Sequence, residues 1–457
     1  MRTIFINLFS ILAVDNFCIP DGVMDLIVKN KKDDDKIVIL TAEAFREKLI
    51  QYTLDKNVVI EIIKTYPPKG FIQKTFHFFY AFLIFTGSTK ILATFGARAD
   101  VPPAGGNPHL WMIKAFIANT FGRSLFVKRK ITPWLYNIVF RQRPYKDLFL
   151  KYKPKLAVVP GLAFFPDIEI CAEAKRNRVK TIGMVMNWDH LNKYYIPVHS
   201  DVLLVQNEPM KKEAISWHSY DESQIRVVGF PQFDMYSHPE SFLVSKEECL
   251  RTFKVIGAEK IILFISGAAY SKDEPEILRA ISQWISSGVF GNNVKLLVRP
   301  YVIVRDFERE KEKYKQFSND PNISFNWLRR SDKLENKKLF MSMLSYSDVI
   351  ISIFSTTAIE SAIFDKPTIT IGFDGGGKRP YRESIVRLED MSHFKNVLET
   401  GSVKVVRSFE DLKQTILKDF NNPANGMNER KILVDKMCYK VDGKSSLRIS
   451  EFVLKSI

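Results

Sequence analysis

A chain of 457 residues exceeds one ordinary hydrophobic core and fits two domains of roughly 200 residues each. Its apolar fraction of 46% is that of a globular protein, which excludes wholesale disorder. Lys and Arg outnumber Asp and Glu by 67 to 51, and the formal charge of +16 favours anionic partners.

Met1 to Ala13 has the outline of a signal peptide, Arg2 followed by an apolar run. Asn7 and Ser10 interrupt that run and no small-x-small cleavage site follows, so Arg2–Phe9 reads as a first strand. Lys36–Thr41 and Val58–Ile63 read as the next two, and Asp33-Asp34-Asp35 as a solvated charged turn. The longest apolar run, Phe78–Thr86, is about half of what a spanning helix needs, so no bilayer crossing is expected.

Residues 71–155 interleave aromatic and basic side chains. From Leu110 to Lys155 eleven Lys or Arg face one acid, Asp147. Helices with Trp and Phe on one face and cations on the other lie in the headgroup layer. This pattern nominates Trp111, Lys128, Arg129, Lys130, Trp134, Arg141 and Arg143 as contacts to an anionic membrane or acceptor. The alternatives are a helical pair whose aromatics fill the N-terminal core, and single-stranded nucleic acid. No RNA-binding motif supports the latter, and nucleic acid is not an expected partner.

Strands resume at Lys155–Val159, Lys180–Val185, Asp201–Gln206 and Ile225–Gly229, with helices predicted at Asp167–Asn177 and Glu208–His218. The turn-rich Phe230–Phe242 reads as a linker. A second series follows at Lys260–Ser266, Val294–Arg299, Asp348–Ile353, Pro367–Gly372 and Val403–Val406, then helices at Phe409–Phe420, Glu429–Met437 and Lys444–Leu454. The fold class expected is α/β, two doubly wound Rossmann-like domains facing a cleft. Residues 1–235 would form an acceptor domain and 236–425 a donor domain. Residues 426–457 would be helices returning toward the first domain.

The strongest local pattern is Ser347–Asp374, a buried strand running into Ser355-Thr356-Thr357, then a helix with Glu360, then Lys366-Pro367 and another strand. Small hydroxyl residues at a helix start present donors to an anion. Thr357-x-x-Glu360 is equally a capping box that needs no ligand.

This element resembles the donor-binding element of glycosyltransferases with the GT-B fold, near the branch of CDP-glycerol glycerophosphotransferases and capsule or surface-polysaccharide transferases. Asn187-Trp188-Asp189-His190, Val228-Gly229-Phe230-Pro231-Gln232-Phe233-Asp234 and Asp442-Gly443-Lys444-Ser445-Ser446-x-Arg448 agree with that branch, over roughly residues 150–457. The resemblance implies that Arg299, Ser355, Thr356, Thr357 and Glu360 bind the donor nucleotide. One departure stands out: where such proteins often carry Arg-Pro-His-Pro, this chain has Arg299-Pro300-Tyr301-Val302, which weakens polyol-phosphate transfer more than sugar transfer.

Ser266-Gly267 opens a loop to Tyr270 where a pyrophosphate can approach the backbone, or a plain strand-to-helix turn. Asp374-Gly375-Gly376-Gly377-Lys378 reads as a flexible loop able to bring Lys378 to a phosphate, or as a surface hairpin. An inverting transfer needs a base beside the acceptor hydroxyl. Asp189 with His190 follows the strand Lys180–Val185, while Asp15 and Asp21 follow the first strand. Turn and helix-capping roles compete for all of these acids.

Four scattered cysteines, without a CxxC pair or a His cluster, argue against disulfides or structural zinc and for a reducing compartment. No metal or other cofactor is expected, only a UDP, CDP, GDP or CMP sugar as co-substrate. The function expected is sugar transfer to a lipid-linked or polymeric surface-polysaccharide acceptor at the cytoplasmic membrane face. Alternatives are CDP-polyol phosphate transfer, a sugar-nucleotide 2-epimerase and a non-catalytic scaffold for anionic polymers.

Overall fold

A computed structural model describes residues 2–94, 110–267, 271–301, 307–328 and 334–457. The chain divides into two compact units. Among the described residues, unit 1 takes 2–89, 110–237 and 438–457, and unit 2 takes 90–94 and 238–437. This differs from the expected division in two places. Lys90–Thr94 goes with the second unit, and the helix Met427–Cys438 stays with it up to Met437. Of the last helices only Ser445–Lys455 returns.

Unit 1 is a seven-stranded parallel sheet of order β3-β2-β1-β4-β5-β6-β7. Its strands are β1 (Thr3–Leu8), β2 (Lys36–Thr41), β3 (Val58–Ile62), β4 (Leu156–Val159), β5 (Lys180–Met184), β6 (Val202–Val205) and β7 (Ile225–Val227). β1 pairs Ile4 with Ile37 on one side and with Leu156 on the other. Every residue of β1 and β4 is buried. That is why these runs read as unbroken apolar stretches: helices cover both faces of a parallel sheet. Ile4, Ile6, Ile37, Leu156 and Ile182 form the core with Ile449 and Val453 of the returning helix.

That helix is fastened by the segment read as a linker. Phe230, Phe233, Met235 and Tyr236 are buried in unit 1, and the Asp234 carboxylate accepts the amides of Ser445 (2.9 Å) and Ser446 (2.7 Å). Gly229 sits at φ +87, and a Cβ there would lie 2.5 Å from Ser445 Oγ, so only glycine fits. The two family-like motifs Val228–Asp234 and Asp442–Arg448 therefore form one structural lock. Arg448 closes it by pairing with Asp442 and donating to the Val228 carbonyl.

Unit 2 is a six-stranded parallel sheet of order β10-β9-β8-β11-β12-β13. It comprises β8 (Lys260–Ile265), β9 (Val294–Arg299), β10 (Ile323–Phe325), β11 (Val349–Ser352), β12 (Thr368–Ile371) and β13 (Val403–Val406). Its core gathers Ile262, Phe264, Ile277, Ile281, Val298, Ile351 and Ile369. β10 was not expected from the sequence: it is a three-residue, half-buried edge strand. The acidic turn is also corrected. Asp35 is buried and takes a bidentate pair from Arg2 at 2.8 and 2.7 Å, while Asp33 and Asp34 are exposed.

Candidate functional site

In an open parallel sheet, ligands bind beyond the carboxyl ends of the strands where the strand order reverses. In unit 2 that point lies between β8 and β11. Ser266 and Gly267 follow β8, and Ser355–Glu360 follow β11. The two loops meet closely: a Cβ on Gly267 would lie 2.6 Å from Ile353 Cδ1. Arg299 ends β9, its guanidinium 4.4 Å from the Phe340 ring centroid, and its carbonyl accepts the Ser266 amide at 3.0 Å. The sequence-derived donor residues Ser266, Gly267, Arg299, Ser355, Thr356, Thr357 and Glu360 thus gather on one edge of one sheet.

The helix start after β11 differs from the expectation in its capping. The capping box does not form: the helix is capped at Thr356 rather than Thr357, with no side-chain capping bond, and Ser355 Oγ accepts the Thr357 amide at 3.3 Å. Ser355 and Thr356 are half-buried, whereas Thr357 and Glu360 are buried.

At the β8 edge the donors already hold an anion. Ser266 Oγ donates to Glu274 (2.8 Å), as does the Gly267 amide (2.6 Å). Tyr314 Oη lies 2.6 Å from the same carboxylate, and Lys313 pairs with it. Burial, reinforced by the Glu274 charge, pushes the Tyr314 phenol far above its ordinary range. A phosphate reaching Ser266 must therefore displace or adjust a buried carboxylate. Tyr270 and Val302 lie outside the described residues.

The glycine loop after β12 is anchored rather than freely hinged. Gly376 N–H donates to Glu276 (2.8 Å), Arg379 pairs bidentately with Asp273, and Asp374 accepts the Ile385 amide (2.8 Å). Lys378 stays exposed on an open groove of about 580 Å³ lined also by Tyr381, Arg407 and Phe409.

In unit 1, Asp189 is half-buried and pairs with Lys193. His190 is buried, its ring against Phe164 (5.1 Å) and Tyr194 (5.5 Å). Burial holds the His190 imidazole below its ordinary range despite the Asp189 charge, so the ring is neutral at pH 7. Asp15 sits in the middle of the helix Ile11–Phe17, whose cap is Ser10. Asp21 is exposed in a left-handed turn at φ +53. Neither caps a helix.

Sequence reasoning missed three buried carboxyls in this unit. Burial raises Asp167 and Glu169 to about 7 and Glu213 to about 8. Asp167 lies beyond β4 at the other reversal point, between β1 and β4, and accepts the Gly161 amide at 2.8 Å. The signal available was Asp167 at the head of the predicted helix Asp167–Asn177, next to Pro166.

The basic contacts are corrected too. Lys128 is buried and donates to the Trp217 carbonyl (2.6 Å), and desolvation lowers it to about 8. It cannot meet a surface. Arg129 donates to Ser219 O and Asp221 (both 2.7 Å), and Arg143 pairs with Glu173 (2.5 Å). Trp111, Lys130, Trp134 and Arg141 are exposed. Among the described residues, no group of three His, Cys, Asp or Glu is placed to hold a metal, and no helix is long and apolar enough to cross a membrane.

Two Rossmann-like units with parallel sheets define the class of GT-B glycosyltransferases and their epimerase relatives. Residues 177–455 match the model of the family described as CDP-glycerol:poly(glycerophosphate) glycerophosphotransferase, and the chain belongs to that family. Solved structures with this fold are remote in sequence. A glycosyltransferase from Rickettsia africae ESF-5 is 15% identical, with 99% of both chains covered and a TM-score of 0.53. The S. aureus MnaA–UDP co-structure is 12% identical, covering 100% of this chain and 98% of that one, with a TM-score of 0.56. The Neisseria meningitidis UDP-GlcNAc 2-epimerase bound to UDP-GlcNAc is 14% identical over 100% of both chains, with a TM-score of 0.55. No curated protein matches the sequence.

Proposed function

We propose that the protein transfers a sugar from a nucleotide-sugar donor to a lipid-linked or polymeric surface-polysaccharide acceptor at the cytoplasmic membrane face, without a metal. The observation that carries this reading is the gathering of Ser266, Gly267, Arg299, Ser355 and Thr356 at the reversal point of unit 2. Small residues after β11 admit a diphosphate to the backbone, Ser266 and Gly267 become available to it once Glu274 is displaced, and a guanidinium matches phosphate oxygens bidentately. The UDP and UDP-GlcNAc named with two structures of the same fold support a nucleotide as the ligand. His190, neutral and next to Asp189, is the candidate proton acceptor on unit 1.

The family description favours a second reading, transfer of a polyol phosphate from a CDP-polyol. Tyr301, half exposed where relatives often carry His, weighs against it. Calorimetry against UDP-, CDP-, GDP- and CMP-linked donors, with and without a chelator, tests both. Chelator-insensitive binding of a nucleotide sugar, weakened about tenfold or more by Arg299→Ala, is the expected result. Cytidine-only binding with polyol-phosphate turnover would select the second reading, and binding of no donor would refute both.

A further inference from the structure

Two loops of unit 2 read from the sequence as able to meet a phosphate, Ser266-Gly267 after β8 and Gly375-Gly376-Gly377 after β12. Each is held by a carboxylate from one place, the start of the helix Glu274–Ser286. Glu274 accepts the Ser266 hydroxyl and the Gly267 amide, and Glu276 accepts the Gly376 amide at 2.8 Å. A Cβ on Gly375, at φ +56, would lie 2.7 Å from Glu276 Oε2, so glycine is what admits that approach. Asp273, the residue before the helix, takes the Arg379 guanidinium. Acids at a helix start ordinarily serve their own helix, by capping it or through its dipole. Here Asp273 makes no side-chain cap bond, and all three carboxylates reach across to other segments.

The surroundings of Glu274 are those of a bound anion. Its fully buried carboxylate meets a hydroxyl, a backbone amide, the Tyr314 phenol and the Lys313 ammonium. These donors stand at the strand-order reversal, where an open sheet takes its ligand. A diphosphate offers the same donors more acceptor oxygens and more negative charge. The helix has its own anchorage, because Ile277, Leu278 and Ile281 are buried in the unit 2 core. The side chain at its first turn can therefore leave while the helix stays seated.

We propose that Glu274 is an internal competitor for the donor's diphosphate, holding the phosphate position at the β8 edge and setting how tightly a nucleotide binds there. The diphosphate displaces the carboxylate and inherits Lys313, which the Ser271 carbonyl keeps in place at 3.0 Å. A site filled most of the time by its own chain binds with an affinity lowered by the fraction of time it is open. Removing the competitor thus weakens the fold and strengthens the ligand, two effects of opposite sign. The inference rests on the donor-site reading of the proposed function and adds what sets that site's affinity.

Calorimetry of the full-length protein with UDP, CDP and inorganic pyrophosphate compares wild type with Glu274→Gln and with Glu274→Asp, which keeps the charge but shortens its reach. The expected result in Glu274→Gln is a Kd lowered about tenfold or more for every ligand the wild type binds, pyrophosphate included, while the urea midpoint of unit 2 falls. Glu274→Asp shows a smaller gain, and carries the comparison should the Gln variant not fold. Lys313→Met in either background erases the gain, because the cation has passed to the phosphate. Unchanged or weaker binding in both variants, with wild-type binding intact, overturns the inference and leaves the transferase reading standing. A gain missing for pyrophosphate also overturns it, since the base and not the diphosphate would be responsible, as does a gain that persists without Lys313. Binding of none of the three ligands by wild type or variants refutes the donor site itself.

Discussion

At the β8 edge the Ser266 hydroxyl, the Gly267 amide, Tyr314 and Lys313 converge on the fully buried Glu274 carboxylate. Glu274→Gln leaves the half-buried Lys313, which also donates to the Ser271 carbonyl, facing a neutral amide, and the lost charge-assisted bonds should cost about 1.5–3 kcal/mol. The urea midpoint of unit 2 should fall accordingly, and an unchanged midpoint would remove Glu274 from this role. Asp167 carries a pH dependence of definite sign. Its folded pKa of about 7 lies above the unfolded value near 3.9, so the folded state favours the proton. Stability from this group is complete below about pH 4 and is lost as pH rises to about 7. Asp167→Asn keeps an acceptor for the Gly161 amide and should be more stable than wild type by roughly 2 kcal/mol or more at about pH 8. The gain should shrink toward about pH 5, and a gain independent of pH would show that the carboxyl does not titrate as argued. The candidate donor residues were legible in sequence because small side chains at strand ends stand out. Their partner Glu274 was not, because the pairing depends on how the helix Glu274–Ser286 returns to the strand. Likewise a run of three cations hides which one turns inward. A π-turn at Val127–Ile131 shifts the helical phase and buries Lys128.

Among the elements, buried parallel strands announce themselves through unbroken β-branched runs, and β2, β9 and β13 occupy the residues expected of them. β10 escaped because three half-buried residues make no periodic signal. The helix Ser445–Lys455 was legible as a helix, but its cap was not, since Asp234 reaches it from more than 200 residues away. Asp234→Ala removes the acceptor of two amides at that helix start and should cost about 1–2 kcal/mol. Hydrogen exchange of 445–455 should quicken while β8–β13 keep their protection. Uniform quickening across both sheets would contradict a local cap.

For the whole molecule, unit 1 is assembled from three stretches of chain and unit 2 mainly from one. Deleting 438–457 strips Ile449 and Val453 from the unit 1 core. Two unfolding transitions should then become one, with the survivor at the midpoint of unit 2, because each sheet has its own core. Loss of both transitions would mean that unit 2 depends on its neighbour.

The returning helix also sets an order of events during synthesis. β1 to β7 leave the ribosome some two hundred residues before Ser445, and at ~5–20 residues per second that is an interval of ~10–40 s. Throughout it, the apolar seam destined for Ile449 and Val453 has no lid, so the nascent first half is a natural client for a chaperone, whereas the second half can fold as it emerges.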